Sequence, residues 1–424
     1  MGKLKGTTGG GGPKAAKAQA AAHKQKVQKA AIMAKLAAPE APEEPDVVQV
    51  TELSNPLRQT LLNVYSDTLA TTLASSDLHD ALQILKKALF ERDFSAAFGG
   101  DADKATESTG NIAPLDAYAA RWSPTRALCY GSVLVSAVVQ EHWNPGSKTA
   151  KVGADKGDED ADEKANEDAD KNANKDVKDD AKEDASKDAS KDTVDDASDD
   201  ESPVDDSPLR MVAIGGGAAE VVAFAALLAS GMPCEHRTGD LVLVDSGPWA
   251  SVVGRLQTTM TTPVAVSTLD GEEERVLVSP AERLAVDVRQ LDILKVGDED
   301  MAKLIAGDGS TTTLVTLFFT LNELFTAGGL GAAATFLLRL TNAAPSGTVL
   351  LVVDSPGSYA ETAVGSQAKR YPMKWLLDRF LTKDDGAWSK VYEDDSSWFR
   401  LTSALTYPIR LEDMRYQTHL YVKL

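Results

Sequence analysis

Cysteine is nearly absent from this chain of 424 residues: Cys129 and Cys234 are the only two, and neither belongs to a C-x-x-C pair. Two thiols cannot build a disulfide framework. The five histidines, at 23, 79, 142, 236 and 419, stand too far apart for the ligand spacing of structural zinc. No P-loop, no Ser/His/Asp arrangement and no metal-ligand spacing occurs, so neither P-loop chemistry nor triad hydrolysis nor a metal centre is expected. No apolar signal-peptide core follows the N-terminus, which predicts a chain that stays inside the cell. The longest membrane-like stretch, Met211–Cys234, has Glu220 as its only charge, but three consecutive glycines split it. We read strand, turn and helix there rather than a membrane span.

Aromatic residues are missing between Asn144 and Pro208. That segment is Asp, Lys, Ala, Glu, Ser and Asn in loose repeats such as Ser-Lys-Asp-Ala-Ser-Lys-Asp. Such a composition buries too little apolar surface to offset its ordering entropy, so 146–208 is expected to be a disordered acidic linker. Charge is just as uneven. The chain carries −20 in all, yet residues 1–38 hold eight lysines and no acid, while 151–200 hold 20 acids against nine lysines. Residues 1–45, with a glycine cluster at Gly9–Gly12 and an Ala/Lys run, are expected to be a disordered basic tail. It serves either solubility or contact with RNA or nuclear import receptors.

Residues 46–145 read as a helical accessory module. Asn55-Pro56 opens a helix, and Leu57, Leu61, Tyr65, Leu69 and Leu73 form one apolar stripe at four-residue spacing. A second helix follows Ser76, and a third runs from Ser123-Pro124 through Val138. From 209 to 424 apolar runs alternate with helical stretches: Met211–Ile214, Leu241–Val244, Leu284–Val288, Thr313–Phe319 and Thr348–Val353, closing with Arg415–Lys423. This predicts an α/β domain built on a mainly parallel sheet.

Ligands of such sheets bind beyond the carboxyl ends of the strands. There stand Gly215-Gly216-Gly217 and, closing the next strand, Asp245, placed to accept both hydroxyls of a ribose. A dinucleotide fingerprint would have glycine where this chain has Glu220, and a pyrophosphate there would be repelled. A cationic sulfonium with its ammonium group would not, which tilts the reading from NAD to S-adenosylmethionine. A tight turn with no ligand is the plain alternative. Asp292, Thr320, Asn322, Glu323 and Asp354 are the other polar residues at strand ends. Asn322 and Glu323 have a second reading as caps of the helix beginning there.

The stretches Arg121–Leu128, Val212–Ala218, Thr320–Phe325, Val353–Tyr359, Tyr371–Asp378 and Met414–Gln417 together resemble the fungal base methyltransferases that modify 25S ribosomal RNA, most of all the group that makes N3-methyluridine. The resemblance covers about 50–145 and 208–424. It implies a class I methyltransferase (Rossmann-like) fold, S-adenosylmethionine as donor and large-subunit rRNA or its precursor as partner. By position, Gly215 and Gly217, with Gly216 between them, would hold the methionine end, Asp245 the ribose and Asp292 the adenine edge. Many class I methyltransferases carry an acid two residues before the first glycine, where this chain has Ala213; Glu220 or backbone groups are expected to take over that contact. We expect a monomer without metal or membrane, in the nucleus, nucleolus or cytoplasm.

Uracil N3 carries a proton, so something must accept it. Glu323, the only acid in the segment Thr320–Glu323 after the fourth strand, is the first candidate, with Asp354 on the neighbouring strand as the second. Asn322 is placed to hydrogen-bond a uracil carbonyl. An extruded base also calls for an aromatic wall, for which Tyr359, Trp375 and Trp398 are candidates. Two other readings stay open: a methyltransferase of protein or small molecules, and a non-catalytic ribosome-assembly factor with a relic methyltransferase domain.

Overall fold

The computed structural model describes residues 52–98, 112–144, 207–231, 237–268, 271–307, 309, 311–357, 359–364, 367–383 and 386–424. The expected basic tail, all of the acidic linker before Ser207, and both Cys234 and His236 lie outside the described residues. The strands are β1 (Leu209–Ile214), β2 (Gly239–Asp245), β3 (Val264–Thr268), β4 (Gly271–Arg275), β5 (Leu284–Gln290), β6 (Thr313–Phe318), β7 (Val349–Asp354), β8 (Tyr359–Val364), β9 (Gln367–Pro372), β10 (Trp388–Phe399) and β11 (Met414–Lys423).

Seven of them form one sheet in the order β10-β11-β7-β6-β1-β2-β5. β5, β2, β1, β6 and β7 are mutually parallel, β11 runs antiparallel to β7, and β10 antiparallel to β11. Strands β1, β6 and β7 are buried along their whole length, as strands of a parallel sheet covered on both faces are. The chain winds outward from β1 to β2 and β5, then returns to lay β6 on the other side of β1. The crevice for a ligand therefore opens between β1 and β6.

Two apolar layers flank the sheet. One holds the helices Asp298–Ala306, Leu321–Ala327, Gly329–Ala343 and Met373–Leu381. The other holds Ala218–Leu228 and Ala250–Thr261 and continues into the helices Asn55–Thr68, Pro114–Arg121, Ser123–Leu134 and Ala137–Trp143, while helix Leu78–Glu91 centres a smaller cluster of its own. Helix Ser123–Leu134 lies on Ala218–Leu228, and Gly131 leaves room beside it for Leu53, which a Cβ there would meet at 2.8 Å. This extra layer explains why Ala218–Leu228 is apolar all round. Every residue in it is buried, with the sheet on one side and helices on the other. Tyr65 fastens the layers, its hydroxyl donating to the Ala218 carbonyl at 2.7 Å.

Several elements differ from the sequence expectation. Ser54, not Asn55, caps the first helix, accepting from the Leu57 amide at 3.4 Å. The third helix ends at Leu134 and a new one, Ala137–Trp143, begins beyond Ser136. The helical stretch after β6 breaks at Gly328-Gly329, the latter at φ 74°. The hairpins β3–β4 and β8–β9 and the edge strand β10 were not expected.

Candidate functional site

A cavity of about 730 Å³ opens at the carboxyl ends of β1, β2, β5 and β6. Gly215 adopts φ 74°, and a side chain there would collide with Thr320, so β1 and β6 close on each other only through a glycine. Gly217 meets a different neighbour. A Cβ on it would lie 2.7 Å from the Trp249 indole, which fills the space expected to admit a ligand. Gly216 faces Ala213 and Leu243 and does not line the cavity.

Four acids line this cavity, Glu220, Asp245, Asp292 and Glu323, against the two cations Arg126 and Lys295. Glu220 is 5% exposed. Its carboxylate accepts from the Gly217 amide at 2.7 Å, closing the first turn of its helix, and burial pushes its pKa up to about 7. Asp245 accepts from the Gly247 amide at 2.6 Å and from the Trp249 indole; burial pushes it up to about 6 against both bonds. Asp292 caps the single turn Ile293–Lys295, accepting from the Leu294 amide at 3.0 Å and pairing with Lys295 at 3.0 Å.

Asn322 and Glu323 sit in the first turn of helix Leu321–Ala327 rather than in a loop. The capping role belongs to neither. Asp354, 2% exposed, accepts from the Asn322 amide at 3.1 Å and from the Ser355 amide at 2.7 Å. Neither Asn322 nor Asp354 lines the cavity, whereas Glu323 does. Its Oε2 is buried without a hydrogen-bond partner among the described residues. Burial raises the Glu323 pKa, and the charges of Arg92 and Arg126 pull it back. A partly desolvated carboxylate on the wall of a cavity is a group able to accept a proton there.

The aromatic wall is not the expected one. Trp375 and Trp398 are half-exposed and away from the cavity, and the Tyr359 side chain lies outside the described residues. Phe98, Tyr118, Trp122, Trp249 and Phe319 line it instead. Phe319 follows β6 at φ 53°, a strained setting for a residue with a Cβ. Arg126 stacks 5.3 Å from its ring centre and 5.6 Å from that of Tyr118, whose hydroxyl accepts from the guanidinium. As the only charge in the otherwise uncharged helix Ser123–Leu134, Arg126 was the signal for this wall.

The surplus of acid over base in this lining suits a cationic ligand, and Leu291, Ile293 and Leu294 add an apolar stretch beside Asp292. Among the described residues no helix is long and apolar enough to cross a membrane. A curated relative, 25S rRNA (uridine(2843)-N(3))-methyltransferase of Saccharomyces cerevisiae, is 29% identical over 371 residues, covering 82% of this chain and 79% of that protein. Among solved structures, the N-methyltransferase NodS from Bradyrhizobium japonicum WM9 with S-adenosyl-L-homocysteine is 13% identical and covers 50% of this chain and 77% of that one, with a TM-score of 0.26. Precorrin-6y C5,15-methyltransferase from Geobacter metallireducens GS-15 gives 13%, 51%, 81% and 0.26. At such scores the superpositions carry no argument, and the fold rests on the strand order. The sequence model of the SAM-dependent methyltransferase family matches residues 65–422. That span runs from within the first helix to the last strand, so the chain belongs to the SAM-dependent methyltransferase family.

Proposed function

We propose that this protein methylates N3 of a uridine in large-subunit (25S) ribosomal RNA. The observation that carries the reading is the similarity to the yeast uridine-N3 enzyme, which extends through most of both chains. Bound S-adenosylmethionine supplies a methyl group on a sulfonium, and the electron pair of the broken C–S bond stays on sulfur. The residues do the rest. Glu220 holds the cationic end of the donor, Asp245 its ribose and Asp292 the adenine edge. Glu323 takes the N3 proton onto its carboxylate, and the freed N3 electron pair forms the N–C bond. Its raised pKa brings it nearer the working pH, which a general base requires. Arg126, facing the same space, balances the negative charge that develops on the uracil carbonyls.

In this reading Asp354 and the Asn322 amide set the helix that aims Glu323, and the helical layer 46–145 walls the site of the 209–424 domain. The basic tail adds phosphate contacts, and the acidic linker 146–208 connects without joining the chemistry. The protein works as a monomer in the nucleolus, nucleus or cytoplasm. The test supplies purified protein and a tritiated donor with rRNA from a deletion strain, followed by mass spectrometry of the nucleosides. We expect 3-methyluridine at one position. Label in protein alone, or no transfer from a donor that binds, would overturn the reading.

A further inference from the structure

A second cavity, of about 420 Å³, adjoins the first and shares the walls Leu89 and Trp122 with it. It lies along helix Leu78–Glu91, and Lys86, His79 and Arg121 line it together with one acid, Glu412. Glu412 is bound to Arg121 at 2.8 Å, and no ion pair engages Lys86 among the described residues. The Arg121 guanidinium also rests 5.8 Å from the centre of the Trp122 ring. Arg126 stands on the inner wall, where its charge and that of Arg92 act on Glu323. On a chain of net charge −20, the outer cavity thus holds Lys86 and Arg121 against one acid, and Arg126 lies on the wall of the adjoining inner one. That is the pattern a polyanion needs, with phosphates bound outside and an unstacked base placed inside.

We propose that the outer cavity holds the phosphodiester of a nucleotide flanking the target uridine, which guides the extruded base past Leu89 and Trp122 into the methyl-transfer cavity. The inference rests on RNA being the substrate and assigns the entry path that the acidic surface otherwise conceals. Lys86 is the phosphate ligand best suited to test, because it is exposed on its helix and free of a carboxylate. Lys87 is the control: it is exposed on the same helix with the same charge, but outside the cavity.

The experiment compares full-length wild type, Lys86→Gln and Lys87→Gln. Binding of a short fluorescein-labelled, uridine-containing single-stranded RNA is followed by anisotropy over a salt series. S-adenosylhomocysteine binding is measured by calorimetry. Losing one phosphate contact lowers the slope of log affinity against log salt by ~0.7 for a single strand. We expect that drop, with weaker binding, for Lys86→Gln. Lys87→Gln should keep the wild-type slope, and both should keep wild-type affinity for S-adenosylhomocysteine. Equal slopes in the two variants, in a protein that methylates rRNA, would overturn this site alone. A wild type that binds S-adenosylhomocysteine but neither binds nor methylates RNA would instead overturn the substrate reading beneath it.

Discussion

Glu220→Gln should make this protein more stable at neutral pH and worse at binding its donor. Glu220 is buried with Asp245 as a nearby like charge, and desolvation lifts its pKa from 4.5 to about 7. Below the unfolded value both states are protonated and nothing is lost. As pH rises from 4.5 to 7 the unfolded chain gives up its proton first, so the folded state holds more protons and stability falls. At ~1.4 kcal/mol per pH unit the loss reaches about 3 kcal/mol, complete once pH passes the folded value. Solvent screens little of this, since the side chain is only 5% exposed. Glutamine keeps an acceptor for the Gly217 amide, so the substitution isolates the charge. Urea unfolding without donor, from about pH 4 to about pH 8, should show the variant gaining on wild type by up to about 3 kcal/mol. Calorimetry should show weaker donor binding, since the cation has lost its partner. Parallel stability curves, or an unchanged donor affinity, would refute the claim that a buried charge is held here for a cationic ligand.

Glu323→Gln should lower single-turnover methylation by ~10²–10⁴-fold with donor affinity unchanged, and higher pH should partly restore the rate; a loss of melting temperature with normal chemistry would reassign it to structure. Asp354→Ala should destabilise by about 1–2 kcal/mol in urea titrations, through loss of the Asn322 and Ser355 contacts, while leaving donor affinity near normal. Asp245→Asn keeps an acceptor for the Gly247 turn but removes the charge, and calorimetry should show donor binding weakened by ~1.5–3 kcal/mol.

Apolar runs and their endings determined the sheet. The central parallel strands carry short runs of Val, Leu, Ile, Met or Phe, and buried parallel strands need no partner-specific signal. Residues that follow those runs, Gly215, Asp245, Asp292 and Glu323, were legible as candidates because carboxyl ends of such strands share one edge. Strand β10 was not legible. Its sequence Trp-Ser-Lys-Val-Tyr-Glu-Asp-Asp-Ser-Ser-Trp-Phe is polar because an edge strand faces water, and hydropathy alone does not distinguish it from a loop. Trp375 and Trp398 looked like stacking residues by type, but the wall came from Phe98, Tyr118, Trp122, Trp249 and Phe319, and of these the first three lie in the helical segment distant in sequence from the strands.

Local sequence thus determined the glycine turn, the parallel strands and the acids at their ends, since each depends on backbone conformation or on alternation within a few residues. Only the tertiary structure decided which acid stayed unpaired. Asp354 and Glu323 are equivalent as carboxylates, yet β7 carries Asp354 under the amide of Asn322, while Glu323 lines the cavity with one oxygen buried and without a partner among the described residues. The same packing set Arg126 against Phe319, across a chain separation that no local pattern spans. A hydrogen bond to one of two like groups depends on where distant elements come to rest, and that is decided by the burial of the whole core.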